Sequence, residues 1–271
     1  MPATGAKPAG AADEAGAALA VRQMFDSIAP RYDLLNHVLS ANIDRLWWWR
    51  AARRFREVLA RPEAAVLDIC CGTGDMTMAL LKRRPGRSQP ILAADFAPEM
   101  LRRGARKFGP PELRRPASPS KDLPYAVPVE ADALHLPLRD GALDLVTTAF
   151  GFRNLANYQA GLREFHRVLK PGGQLGILEF SEPGGMIGKA YAIYFRRILP
   201  AIGRLICGND APYNYLPASV GSFPPPAQLL ERMREAGFTG CAWQPYTFGI
   251  AGLYTATRAV DRAATAAGSR V

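Results

Sequence analysis

The segment Asp68-Ile69-Cys70-Cys71-Gly72-Thr73-Gly74-Asp75 follows an apolar run and opens a helical one. Gly72 and Gly74 let the backbone approach a ligand with no Cβ in the way. Asp95 stands 21 residues beyond Gly74, at the end of the next apolar run. A carboxylate in that place can accept hydrogen bonds from ribose hydroxyls. A dinucleotide loop would read G-x-G-x-x-G, but Thr77 stands where its third glycine would be. Asp75 falls where a pyrophosphate would meet a helix N-terminus. A carboxylate there repels phosphate, and it equally complements the helix dipole. Asp68 adds a further negative charge. These residues favour a ligand with a ribose, no phosphate and positive charge. S-adenosylmethionine, with its ammonium and sulfonium, has that chemistry; a nicotinamide dinucleotide does not. The competing reading is a tight strand–helix turn whose glycines are incidental.

Other candidates follow later apolar runs. Asp132, next to Ala133, can accept from an adenine amino group or cap its own turn. Phe150-Gly151-Phe152-Arg153-Asn154 contains a permanent cation that can stabilise an oxyanion. Arg153 can equally pair with a carboxylate and hold the turn, with Asn154 beside it. Tyr32, Asp33 and Asn36 lie on an N-terminal helical segment that can fold over the site. Asp33 is a candidate base there, or one half of a structural pair. His166 is expected to pack or pair rather than act as a base. Tyr213 and Tyr215 can pack against an aromatic ring or simply in the core.

These residues need elements to carry them. Short apolar runs at 64–70, 91–95, 127–130, 143–148 and 174–180 read as strands. Helical stretches at 75–84, 98–107 and 157–169 alternate with them, the last closed by Lys170-Pro171-Gly172-Gly173. Further helices are expected at 186–206, at 226–236 and across 21–55, broken at Ser40-Ala41-Asn42. Two β-like runs, 240–248 and 251–258, form an antiparallel hairpin at one edge. The pattern is α/β: a Rossmann-like, doubly wound, mostly parallel seven-stranded sheet with helices on both faces. Ligands in such sheets bind beyond the carboxyl ends of the strands. Residues 109–124 hold five prolines and no periodicity, so they read as a loop insertion. Residues 1–20 and 261–271 read as flexible tails.

Hydrophobic residues are 48% of the 271, and charged residues are 21%, enough for a core. The 34 basic against 24 acidic residues leave a net charge of +10, which favours anionic partners: nucleic acid, acidic membrane or anionic substrate. Neither a CxxC pair nor an HExxH motif occurs, so no metal site is expected. Cys70 and Cys71 would point to opposite sides of a strand, so no disulfide scaffold is expected and a reducing cytoplasm fits. No apolar run is long enough to span a bilayer.

The motifs also form a recognisable set. It includes Phe25 through Asn36, Ser40 through Trp47, Asp68 to Thr77, Phe150 to Asn154, Arg167 to Gly173, Leu178 to Pro183 and Asn209 to Leu216. Together they resemble the ubiquinone/menaquinone biosynthesis C-methyltransferase family of class I S-adenosylmethionine-dependent methyltransferases, from Val21 to Arg258. The resemblance implies a methyltransferase domain at 61–260, with 21–60 as its helical lid. It places cofactor contacts on Thr73, Asp95, Asp132 with Ala133, and Ala149, where Ala149 replaces a common serine; the loop reading adds Asp68, Gly72 and Gly74. The residues themselves make Arg153, Asn154, Asp33 and Tyr32 the candidates for the reacting centre, and the resemblance implies S-adenosylmethionine as cofactor. The implied substrate is a polyprenylated quinol, with demethylmenaquinol first and the ubiquinol-pathway ring second. Its isoprenoid tail implies transient membrane-surface contact, through residues 43–56 or 186–206, by a cytoplasmic protein that is peripheral on the membrane. Homo-oligomers fit as well. Alternatives are another small-molecule methyltransferase or, from the net charge, an RNA-binding protein. Against the latter, no Asn/Asp-Pro-Pro-Tyr/Phe-type segment follows the fourth strand.

Overall fold

The computed structural model describes residues 5, 6, 8, 11–29, 40, 42–110, 123–185, 188 and 211–260. Tyr32, Asp33, Asn36, the side chain of Tyr213, residues 111–122 of the expected loop insertion, the expected helix at 186–206 apart from residue 188, and the tail at 261–271 lie outside the described residues.

A central sheet has the strand order β3-β2-β1-β4-β5-β7-β6. Its strands are β1 (Val66–Ile69), β2 (Ile91–Asp95), β3 (Ala126–Glu130), β4 (Leu143–Ala149), β5 (Leu169–Phe180), β6 (Phe238–Tyr246) and β7 (Ala251–Arg258). The first five run parallel, and β7 pairs antiparallel with both β5 and β6. The expected edge hairpin is present, with its second strand inserted next to β5. The strand order reverses at β1, which puts the carboxyl ends of β1 and its neighbours β2 and β4 around one crevice.

β1 is buried along its whole length, as a strand covered on both faces must be. Its alternation divides the core. Leu67 and Ile69 join the layer that includes Tyr158, Leu162, Phe165, Leu229 and Met233. Val66 faces the opposite layer with Trp47, Trp48, Met76, Leu80 and Phe108. The helices supplying these side chains are α2 (Ile43–Arg54), α4 (Asp75–Leu81), α5 (Pro98–Phe108), α6 (Tyr158–Val168) and α8 (Pro226–Glu235); α1 (Glu14–Ile28), the short α3 (Arg56–Leu59) and α7 (Ala211–Ser222) are the other described α-helices.

The N-terminus departs from expectation. Helix α1 starts ahead of Val21 because Asp13 caps it, accepting from the Gly16 N–H at 2.7 Å. Before the helix, the Ala6 N–H donates to Leu155 O at 2.8 Å. Part of the stretch expected to be a loose tail is therefore built onto the domain. β5 also begins directly after α6, so Lys170-Pro171-Gly172-Gly173 lies within the strand element rather than in a separate loop.

Candidate functional site

The carboxyl ends of β1, β2 and β4 meet under α1 in one cleft, with about 1040 Å³ of empty space, open solvent included. Asp68, Gly72, Thr73, Asp95, Asp132, Ala133, Ala149 and Asn154 all line it. Gly74 and Arg153 do not.

The floor is the turn after β1. Cys70 has φ 56 and Phe150, just beyond β4, has φ 57. Left-handed backbone is uncommon for such residues and marks places where the surroundings fix the chain. Strand β1 therefore ends at Ile69, and the expectation that Cys70 and Cys71 alternate on a strand is corrected. The two bends lie against each other: a Cβ on Gly151 would collide with the Cys70 side chain.

The two glycines of the loop do different work. Gly72 has φ +54, and a Cβ there would meet nothing within 4 Å, so its bare backbone faces open space. Gly74 has φ +88, and its Cβ would strike the Phe108 ring. Gly74 thus lets α5 pack close.

Asp95 joins the turn to the next strand. Its Oδ2 accepts from the Gly72 N–H at 2.7 Å and its Oδ1 from the Ala97 N–H at 2.8 Å. The Phe96 N–H is a third backbone donor to this carboxylate, which leaves about one of its roughly four acceptor sites for a ligand hydroxyl. Burial pushes the Asp95 carboxyl up to about 6, although these N–H donors pull it back.

Asp68 is wholly buried. Its Oδ2 accepts from Thr77 Oγ1 at 2.6 Å and its Oδ1 from Thr147 Oγ1 at 2.8 Å. This carboxylate straps α4 to β4 across β1 and braces the floor from beneath. Burial raises it to about 7. Asp132 Oδ1 accepts from the Leu134 N–H at 2.9 Å, so it caps its own turn while standing on the cleft wall. Asp75 also lines the cleft, with Lys107 Nζ at 3.4 Å from its Oδ1.

Helix α1 forms the roof, and its cleft-facing residues lie at the start of the segment expected to be the lid. Val21, Arg22 and Phe25 line the cleft. The Arg22 guanidinium donates to Glu130 at 2.8 Å and lies 5.0 Å from the Phe96 ring centroid. Asp26 Oδ1 accepts from the Glu99 N–H at 3.0 Å, capping α5 from the roof. Trp48 adds a wall residue from α2.

Arg153 has a different place from the one expected of a catalytic cation. It lies on a 3-10 turn, Phe152–Asn154, and is 4% exposed. Its Nη1 is 3.0 Å from Glu179 Oε1 and also donates to Phe150 O. Glu179 is fully buried, and burial raises its pKa while Arg153 lowers it. The guanidinium thus compensates a buried carboxylate and fixes the turn. Its neighbour Asn154 reaches the cleft, and Tyr215 donates to Asn154 Oδ1 at 3.0 Å. That contact orients the amide. His166 packs edge-on against Phe238, away from the cleft.

The donor set fits a sulfonium nucleoside: an acceptor site left on the Asp95 carboxylate, open backbone at Gly72, and the Asp75 carboxylate at the helix entrance. Fold and loop together define a class I methyltransferase. Among solved structures, the [4+2]-cyclase SpnF aligns with TM-score 0.61 at 19% identity, covering 90% of this chain and 97% of that one. A Thermotoga maritima S-adenosylmethionine-dependent methyltransferase aligns with TM-score 0.55 at 16% identity, covering 88% and 99%. At such identities the likeness is one of fold. The chain belongs to the ubiE/COQ5 methyltransferase family, which residues 12–258 match. A Deinococcus radiodurans relative named demethylmenaquinone methyltransferase is 46% identical over 87% of this chain and 91% of its own length. One of the same name from Thermus thermophilus is 44% identical over 87% and 100%. A Geotalea daltonii relative named ubiquinone/menaquinone biosynthesis C-methyltransferase is 39% identical over 87% and 94%.

Proposed function

We propose that this chain methylates a ring carbon of a polyprenylated quinol with S-adenosylmethionine, converting demethylmenaquinol to menaquinol. The observation that carries the reading is the 46% identity to a demethylmenaquinone methyltransferase over nearly the whole domain. The ubiquinol-pathway ring is the second substrate to test, because a relative at 39% is named for both quinones.

Bound S-adenosylmethionine supplies an electrophilic methyl group. Asp95 would hold a ribose hydroxyl on its remaining acceptor site. Asp132 would face the adenine amino group, and the Gly72-Thr73 backbone would hold the amino-acid end. Ala149 contributes only backbone and packing. Asp68 acts from below, by keeping the turn in place.

The quinol carbon ortho to a phenolate is nucleophilic because the ring feeds it electron density. The chain's task is therefore to bring the ring into line and favour the phenolate. Asn154, with its oxygen engaged by Tyr215, has an amide N–H to offer the quinol oxygen. Arg153 positions Asn154 through the turn. Tyr32 and Asp33 are the other candidates for the reacting centre, Asp33 for taking the phenol proton. Once the methyl has left sulfur for the ring carbon, that carbon's own hydrogen departs as a proton to solvent and the aromatic quinol is restored.

The tail keeps this substrate in a bilayer, so the reaction belongs to a membrane surface on the cytoplasmic side. No helix among the described residues is long and apolar enough to cross a membrane. Complementation of two bacterial hosts, one lacking naphthoquinol and one lacking benzoquinol C-methylation, tests the reading. Menaquinone restored in the first host, seen by mass spectrometry, is the expected result. Demethylated quinones persisting in both hosts with the protein expressed would contradict it.

A further inference from the structure

We propose that the exposed face of α2 and the Phe248 turn form one docking surface for an anionic lipid bilayer. The proposal rests on the quinol reading, since a bilayer-held substrate requires such a surface.

Helix α2 buries Trp47 and Trp48 but exposes Leu46 at 49% and Trp49 at 45%. Exposed Arg45, Arg50, Arg53 and Arg54 surround them. The helix's one acid, Asp44, is turned inward at 3% exposure. Guanidinium groups of Arg53 and Arg83 lie 5.2 and 5.4 Å from the Trp49 ring. A large indole in water between cations, with no acid beside it, has the composition of an interfacial helix.

The second part is the turn Thr247–Gly249. Phe248 is 79% exposed with φ 58. Both its exposure and its backbone are unfavourable for a phenylalanine in water. Two contacts fasten this turn to α2. Trp47 Nε1 donates to Thr247 Oγ1 at 2.8 Å, and the Arg50 guanidinium lies 4.7 Å from the Tyr246 ring. Leu46, Trp49 and Phe248 are therefore apolar points on one basic surface. Arginines beside them snorkel to headgroup phosphates while the apolar groups enter the interface.

This surface backs onto the cleft. Trp47 packs 5.9 Å from Phe150 and 6.1 Å from Phe180, centroid to centroid, and Phe150 lines the cleft. One aromatic layer separates the exposed patch from the site that takes the quinol ring. A substrate with its ring in the cleft and its tail in lipid needs that proximity.

The test is co-sedimentation of the full-length protein with phosphatidylcholine vesicles, with and without phosphatidylglycerol. Binding is expected only with phosphatidylglycerol, weakening as salt rises. Trp49→Ser with Phe248→Ser should cut binding at least about tenfold, the effect of removing two buried aromatic anchors. The melting temperature and methylation of a short-tailed, water-soluble quinol should not change. Methylation of a long-tailed quinol in vesicles should fall with binding. Should the double variant misfold, Phe248→Ser alone and quenching of wild-type tryptophan fluorescence by brominated lipid replace it, with weaker binding and clear quenching expected. Equal binding of wild type and folded variant, equal binding to neutral vesicles, absence of quenching, or a solution dimer that the variant dissociates would each overturn the docking proposal. Vesicle binding without methylation of any quinol would overturn the proposed function instead. Methylation of the soluble quinol by a protein that ignores vesicles would overturn the docking alone.

Discussion

Arg153 Nη1 sits 3.0 Å from Glu179 Oε1, with the arginine side chain 5% exposed and the glutamate 0%. Removing one member of such a pair leaves an uncompensated buried charge. Arg153→Ala is expected to lose about 3–5 kcal/mol of stability, read by urea unfolding. Arg153→Met combined with Glu179→Leu should recover most of that loss, and methyl transfer should return with the fold. A double variant that folds like the wild type but transfers nothing would give the arginine a direct chemical role.

Gly72 and Gly74 predict opposite phenotypes for the same substitution. Gly74→Ala adds a Cβ into the Phe108 ring at φ +88. It should destabilise the protein by about 1–3 kcal/mol through overpacking and backbone strain. Gly72→Ala enters open space at φ +54, so it should cost about 1 kcal/mol of stability and mainly weaken S-adenosylmethionine binding. Thermal melting and calorimetric titration of both variants separate the effects. A Gly72→Ala protein that binds the cofactor normally would place the ligand elsewhere.

Asp95 should make cofactor affinity depend on pH. Its carboxyl is raised to about 6, and only the carboxylate keeps its remaining acceptor site free of a proton for a ribose hydroxyl. Affinity should be flat above that value and fall as the solution is acidified through it. Asp95→Asn should bind at least about tenfold more weakly, the loss of one charge-assisted hydrogen bond, and its affinity should lose the inflection. Titration calorimetry between pH 5 and pH 8, at roughly one-unit spacing, decides this. An unchanged affinity in the variant refutes the ribose role.

Asp68 should act on stability with the opposite trend. Burial raises it from the ordinary 3.8 to about 7, so the fold holds its proton more tightly than the unfolded chain does. The stabilisation from that proton is fully present below the unfolded pKa and is lost as pH rises through the folded one. The full effect is at most about 4 kcal/mol, at 1.36 kcal/mol per unit. Asp68→Asn removes this titration, so its stability should vary less between pH 4 and pH 8 than that of the wild type. Parallel pH profiles in urea unfolding would contradict the assignment.

Much of this was legible in one dimension. The strands show as short apolar runs, and the loop after β1 shows its glycines and acids within a few residues. Asp95 was found because the next strand ends on it. What stayed hidden depends on contacts distant in sequence. Nothing near Arg153 announces Glu179, which lies on β5. Gly72 and Gly74 look equivalent until Phe108 is placed beside one of them. The roof falls at the start of the expected lid, while the Ala/Gly-rich composition before residue 20 hides the Asp13 cap that begins its helix earlier. Cys70 was read as strand because local pattern gives no sign of the positive φ that Gly151 permits across the sheet.

The account stands or falls on transfer of a methyl group to a quinol by the purified protein. S-adenosylmethionine carrying an isotope-labelled methyl, incubated with the chain and reduced demethylmenaquinol, should yield menaquinol bearing one labelled methyl on the ring. Asp95→Asn should form it far more slowly at the same cofactor concentration. Mass spectrometry showing unlabelled quinol after incubation with folded, cofactor-saturated protein would contradict the central claim.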